Sequence, residues 1–242
     1  MRRVLFTALT VLTAMAAFGQ NDSVAKRNPL TTPALPRSND HFMIQLGGLM
    51  WNGTPDSINT KGLARTINVY FLFDFPFKSN PKLSAAIGAG IATDHMIFDK
   101  MYVGIKENTP NLVFRDQSDT THFKKYKLST TYLEAPVELR FSSNPGDNKR
   151  SFKAAVGVKV GTLLSAMVKG KNLEDRNNNT VLEYTSKEKS KRFFESPRIA
   201  GTARVGIGAF SLFGSYSFTT LFKEGTAPTI RPYSVGITLS GL

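Results

Sequence analysis

Cysteine is absent from the 242 residues. That excludes a disulfide framework, thiolate chemistry and thiolate metal sites. It also excludes a lipid anchor attached through a cysteine after the first apolar run. Histidine is scarce: His41, His95 and His122 are the three. No two of them have metal-ligand spacing, and no glycine loop has the spacing that cradles phosphate. No cofactor, metal site or catalytic residue is therefore assigned. Long apolar runs are missing as well. After the first twenty residues nothing approaches the roughly 18 apolar residues of a membrane helix. A strand-built membrane protein evades that search, because only every second residue of such a strand is apolar. The mean hydropathy of −0.18 fits that case.

What is present begins with an export pattern. Arg2 and Arg3 precede the apolar run Val4–Ala17, and Ala17-Phe18-Gly19 is a small-x-small site. Residues 1–19 are therefore expected to be a signal peptide removed before Gln20. Residues 20–40 carry Pro29, Pro33 and Pro36 among Ser, Thr and Asn, and read as a flexible periplasmic leader. Residues 41–242 hold the domain.

That domain shows a period of two, repeated eight times. In the last stretch Tyr233, Val235, Ile237 and Leu239 alternate with Ser234, Gly236, Thr238 and Ser240. In the second stretch, Leu63–Phe75, the residues Ile67, Val69, Phe71 and Phe73 alternate with Thr66, Asn68, Tyr70 and Asp74. Strands are expected near 42–51, 63–75, 83–98, 126–141, 152–168, 198–209, 212–222 and 233–239. The connections alternate in length. Those after the second, fourth and sixth strands are short (76–81, 142–150 and a turn at Phe210-Ser211). Those after the first, third, fifth and seventh are long (52–62, 99–125, 169–194 and 223–231). Short turns on one rim and long loops on the other are the outer-membrane pattern. The expected fold is all-β, an eight-stranded antiparallel up-and-down transmembrane β-barrel in the outer membrane. An even strand count puts both termini in the periplasm.

The polar face of each strand is mostly Gly, Ser, Thr and Ala, and suits the narrow interior of eight strands. The apolar face suits lipid. Charges on the inner face are the nearest thing to a site: Asp74, Glu134, Glu138, Arg140, Lys153, Lys159, Arg198 and Arg204, with Asp94 able to join. The short turn between the fourth and fifth strands would oppose Glu134 to Lys159 and Glu138 to Lys153. Buried charges need partners, so a polar network plugging the lumen is expected, and a small-solute pore is the alternative. Pro136 cannot donate to a ladder, so a bulge or kink is expected there.

A rim enzyme, a lipid acyltransferase or esterase or a protease, is a further alternative. It would draw on Asp94, His95, Ser118, Asp119 and His122, provided a nucleophile and a base come within hydrogen-bond reach. The formal charge is +13. In an exported chain whose lysines are spread through loops, a solvated basic surface is the first reading, and anionic lipid and lipopolysaccharide, not nucleic acid, are the expected neighbours.

The segment Tyr132-Leu133-Glu134-Ala135-Pro136-Val137-Glu138-Leu139-Arg140-Phe141 resembles a signature of the PorT-like outer-membrane β-barrel proteins of Bacteroidetes-type bacteria. The glycine-spaced stretch Ala154–Ser165 and the signal ending Phe18-Gly19-Gln20 are similar too. The resemblance spans residues 41–242. It implies an eight-stranded barrel, usually without a known activity, with one branch serving a secretion system. The expected function is accordingly non-enzymatic: a structural, interaction or secretion-associated role through the long loops. Another envelope or secretion-system protein is then a possible partner.

Overall fold

A computed structural model describes residues 41–147 and 150–241. The expected signal and leader, residues 1–40, lie outside the described residues. Eleven strands follow one another: β1 (Phe42–Asn52), β2 (Arg65–Pro76), β3 (Leu83–Phe98), β4 (Met101–Val103), β5 (Phe114–Asp116), β6 (His122–Ser142), β7 (Phe152–Glu174), β8 (Thr180–Lys189), β9 (Pro197–Ile207), β10 (Phe210–Ser217) and β11 (Arg231–Ser240). Eight of them form the ring β1-β2-β3-β6-β7-β9-β10-β11, and the β1–β11 ladder closes it. Every neighbouring pair is antiparallel. Closure leaves the ring without a free edge, which is what a strand-built span requires.

The period of two decides the two faces. On β2, Thr66, Asn68, Tyr70 and Leu72 are buried, while Ile67, Val69, Phe71 and Phe73 are exposed. On β6, Glu134, Glu138 and Arg140 are buried, while Leu133, Val137, Leu139 and Phe141 are exposed. Polar residues thus line the lumen and a continuous apolar belt faces out. An apolar surface of that extent is stable against lipid and not against water.

Three local features differ from the sequence-based expectation. First, the β9–β10 turn is Gly208-Ala209, because Ile207 pairs with Phe210; it is not Phe210-Ser211. Gly208 has φ 63°, and glycine at the first central position is what a tight hairpin favours. The shift is by an even number of residues, so the facing of both strands is unchanged. Second, no register shift occurs at Pro136, which pairs in step with Lys159. Its missing N–H shows only as a gap in the β3–β6 ladder between the Ile87–Val137 and Gly90–Glu134 pairs. The irregularity lies at Thr131/Tyr132, where Leu164 of β7 is the extra residue. Third, β6 and β7 run past the barrel, and β8 folds back on β7, within a segment expected to be loop.

The long loops pack together over one mouth. Leu49, Met96, Phe98, Val103, Ile105, Leu112, Leu128, Phe193, Phe194, Phe222 and Ile230 belong to one buried apolar cluster there. Backbone bonds tie loop to loop: the Leu112 amide donates to the Thr226 carbonyl at 2.7 Å, the Lys223 amide to the Phe193 carbonyl at 2.9 Å, and the Asp99 amide to the Asn59 carbonyl at 3.1 Å.

Candidate functional site in the barrel lumen

The lumen charges arise from alternate positions of β2, β3, β6, β7 and β9, and they settle into two groups. Near the short-turn end, Glu138 Oε2 accepts from Arg140 Nε at 2.9 Å and from an Arg204 Nη at 3.0 Å. Arg140 reaches on to Asp74 at 3.6 Å, and Ser84 Oγ donates to the same carboxylate at 2.7 Å. Nearer the loops, Glu134 accepts from the Tyr70 hydroxyl at 2.6 Å and lies 3.4 Å from Arg198. Arg198 also donates to Asp94 at 2.9 Å, and its guanidinium stacks 4.7 Å above the Tyr132 ring. Lys159 stands 3.9 Å from Glu134 and donates to the Tyr70 hydroxyl at 3.4 Å. Four carboxylates (Asp74, Asp94, Glu134, Glu138) thus meet four cations (Arg140, Lys159, Arg198, Arg204) in one low-dielectric space.

Glycine makes the room. Glu138 is opposed to Gly157, and Glu134 to Gly161. A Cβ on Gly157 would fall 3.0 Å from Glu138 Cγ and 2.2 Å from the Val137 carbonyl oxygen. A Cβ on Gly161 would fall 2.8 Å from Glu134 Cγ. The spaced glycines of β7 are therefore the gaps into which the β6 glutamates fold.

The register corrects one expected pairing. Glu134 and Lys159 do approach, but diagonally, since Lys159 is opposed to Pro136. Lys153 is opposed to Ser142 and is not the partner across from Glu138. The observed register places the residue opposite Glu134 two positions, and the residue opposite Glu138 four positions, further along β7 than expected. Of the partners expected for Glu138, Lys153 or an arginine of the sixth barrel strand, it is Arg204 that reaches it, because β9 lies against the other side of β7. Pairing also exceeds hydrogen bonding here. Asp94 Oδ1, Glu134 Oε1, Arg198 Nε and Arg204 Nε have no hydrogen-bond partner among the described residues.

The opposite wall is uncharged. Asn68 Nδ2 donates to Gln45 Oε1 at 3.2 Å, and Gln45 Nε2 donates to Thr238 Oγ1 at 3.2 Å. Gln45, Asn68 and Thr238 each sit on an inward position of a different strand, a relation that appears only once the register is known.

The rim residues divide. Ser118 hydrogen-bonds to Asp116 through its hydroxyl at 2.6 Å and its amide at 2.8 Å. Those two bonds hold the Asp116 carboxyl below the usual carboxylate range. A His122 ring nitrogen sits 3.2 Å from the Thr120 carbonyl. No hydrogen bond among the described residues joins Ser118, Asp119 and His122. His95 instead meets a residue not singled out from the sequence: its Nδ1 lies 2.8 Å from Ser129 Oγ. The two are directly opposed across β3 and β6, on the outer face above the belt. Only the register could have revealed that pair.

Compared with known families, residues 41–223 match the outer membrane protein beta-barrel domain family. The match covers most of the chain, and the chain belongs to that family. No curated protein matches it.

Proposed function

We propose, with membership of the outer-membrane β-barrel family as the premise, that this chain is a non-enzymatic barrel closed by its own side chains. In this reading it presents its long-loop end outside the cell as a structural, interaction or secretion-associated surface of the PorT-like kind. The short turns and both termini face the periplasm, after loss of the signal. Its neighbours are lipid and lipopolysaccharide, and another envelope or secretion-system protein meets the loops. The observation that supports this reading is the coincidence of two closures in one barrel. Balanced charges cross the bore, and an apolar cap packs above them. Eight strands leave a bore that side chains can fill.

Planar-bilayer conductance tests the closure: no steady conductance is expected, and an open channel would overturn it. Orientation is read separately. The sequence has no cysteine, so Asn80→Cys in the β2–β3 turn and Asn177→Cys at the β7–β8 tip are unique labels. An impermeant maleimide should reach Cys at 177 on intact cells and Cys at 80 only after lysis. The reverse pattern would overturn the orientation.

A second reading, a rim acyl hydrolase, is favoured by the His95–Ser129 distance. Nucleophile and base at 2.8 Å are the first requirement of such chemistry. A fluorophosphonate probe that labels the wild type and not Ser129→Ala would select this reading over the first.

A further inference from the structure

The outer face of the β6–β7–β8 sheet carries an arrangement that ordinary strand pairing disfavours. Lys127 is directly opposed to Lys169, and Lys169 to Lys187. One row further from the barrel, Lys125 is opposed to Lys171. One row nearer, Lys189 is opposed to Met167. Opposed residues share a face, with Cβ atoms about 5 Å apart, and like charges placed so are destabilising. Six lysines therefore converge on one patch. Lys125, Lys171, Lys187 and Lys189 are exposed, and Lys127 and Lys169 are half-buried.

No acidic side chain among the described residues is paired with them. Glu188 is opposed to the buried Val168 and so belongs to the other face. Glu174 is held by Lys124 at 3.1 Å. Glu183 lies within the β7–β8 register shift, between Thr185 and Leu182, and makes no ion pair with these lysines among the described residues. None of the six lysines makes an ion pair or side-chain hydrogen bond among the described residues. Lysine on a free strand edge can serve to block edge pairing, and Lys187 and Lys189 on β8 answer that description. Lys127 and Lys169 do not, because β6 and β7 are flanked on both sides.

The patch also has a definite height. The apolar rows of β6 run from Phe141 to Leu133, and Thr131 and Ser129 follow on the same face. At ordinary strand rise and tilt, Lys127 stands about 35 Å along the barrel axis from Phe141. A lipid-facing belt is about 25 Å tall. The lysines thus sit roughly 10 Å beyond it, at the level of lipid head groups.

We propose that this lysine patch is a binding site for phosphate groups of the surrounding lipid leaflet, specifically the phosphomonoesters of a lipid A-type glycolipid. The occupant follows from charge complementarity and height together. A phosphomonoester carries up to two negative charges and three acceptor oxygens, and lysine serves phosphate as a mobile point charge. Three opposed ammonium groups can close on one such group and relieve their mutual repulsion. The proposal deepens the functional reading above and rests on its placing the loop end in the glycolipid leaflet.

The test uses the full chain refolded in a neutral detergent. Diphosphoryl lipid A, phosphatidylcholine, phosphatidylglycerol and inorganic phosphate are each titrated, and binding and melting temperature are followed. The wild type should bind diphosphoryl lipid A at least ten-fold more tightly than phosphatidylglycerol and should melt higher in its presence. The variant Lys127→Gln/Lys169→Gln/Lys187→Gln should lose at least ten-fold of that affinity and most of the thermal shift. Without lipid it should melt no lower than the wild type, since opposed like charges have been removed. A control variant of equal charge loss at the other rim, Lys78→Gln/Lys82→Gln/Arg150→Gln, should keep the affinity. Equal loss in both variants would show diffuse attraction only and overturn the site. Inorganic phosphate binding as tightly as the lipid would overturn the lipid source. The orientation is read independently by the maleimide labels, so binding that persists with the loop end inside the cell would refute that orientation and leave the site standing.

Discussion

Glu138 lies directly across the β6–β7 ladder from Gly157, and the glutamate folds over the glycine. The first side-chain atom that any other residue would add there meets the Val137 carbonyl at 2.2 Å and Glu138 Cγ at 3.0 Å. The first of those obstacles is backbone and cannot swing aside. Gly157→Ala is therefore expected to destabilise the barrel by about 1–3 kcal/mol, the usual cost of overpacking, and Gly157→Val by more. Urea unfolding of the refolded protein, followed by the heat-modifiable gel shift, reads this. An unchanged midpoint for Gly157→Val would mean that Glu138 is not seated over β7.

Glu138 itself satisfies two buried guanidinium groups. Glu138→Ala strands Arg204, leaves Arg140 only its 3.6 Å contact with Asp74, and should cost roughly 3–5 kcal/mol if the bore is dry. Much of that cost comes from the unpaired Arg204 left behind. Glu138→Met combined with Arg204→Met should therefore recover a large part of the loss. A double mutant no better than Glu138→Ala would show that water already solvates both arginines.

Much of this site was legible before any coordinates. Alternation alone put Asp74, Glu134, Glu138, Arg140, Lys159, Arg198 and Arg204 on one face, because a strand's side chains change sides at every residue. Partner choice was not legible. It depends on register, and the lumen pairs here depend on which residues close the β6–β7 connection and on how β9 sets against β7. Neither leaves a mark in hydrophobic periodicity. The extension of β6 and β7 was hidden for a different reason. Beyond the belt both faces of those strands are polar or packed under the cap, so the contrast that reveals a strand disappears. Lys125, Lys169 and Lys171 then read as loop, and Lys127 as the second residue of its strand.

The misplaced hairpin yields its own prediction. Gly208 has φ 63°, a region that costs an ordinary L-residue roughly 1–2 kcal/mol. Its amide also donates to the Ser151 carbonyl at 2.9 Å, which links this turn to the start of β7. Gly208→Val should lower the urea midpoint accordingly. Gly208→Asn should be better tolerated, since Asn enters that region more readily. Equal behaviour of the two variants would show that the turn does not hold this geometry.

The cap has a built-in reporter. The sequence contains one tryptophan, Trp51, and its ring centroid lies 6.1 Å from that of Phe222 and 5.8 Å from that of Phe98. Phe222 is 1 % exposed and also meets the rings of Phe114 and Phe194. Phe222→Ala removes the shared contact of three loops and should cost the cap about 3–5 kcal/mol. The barrel ladders do not depend on that ring, so the loss should be local. Trp51 emission should shift to the red, and trypsin should gain access at Lys106 or Lys223, while the gel shift of the barrel persists. If emission and gel shift are lost together, the cap and the barrel unfold as one unit, and the loops are part of the fold's stability as well as its surface.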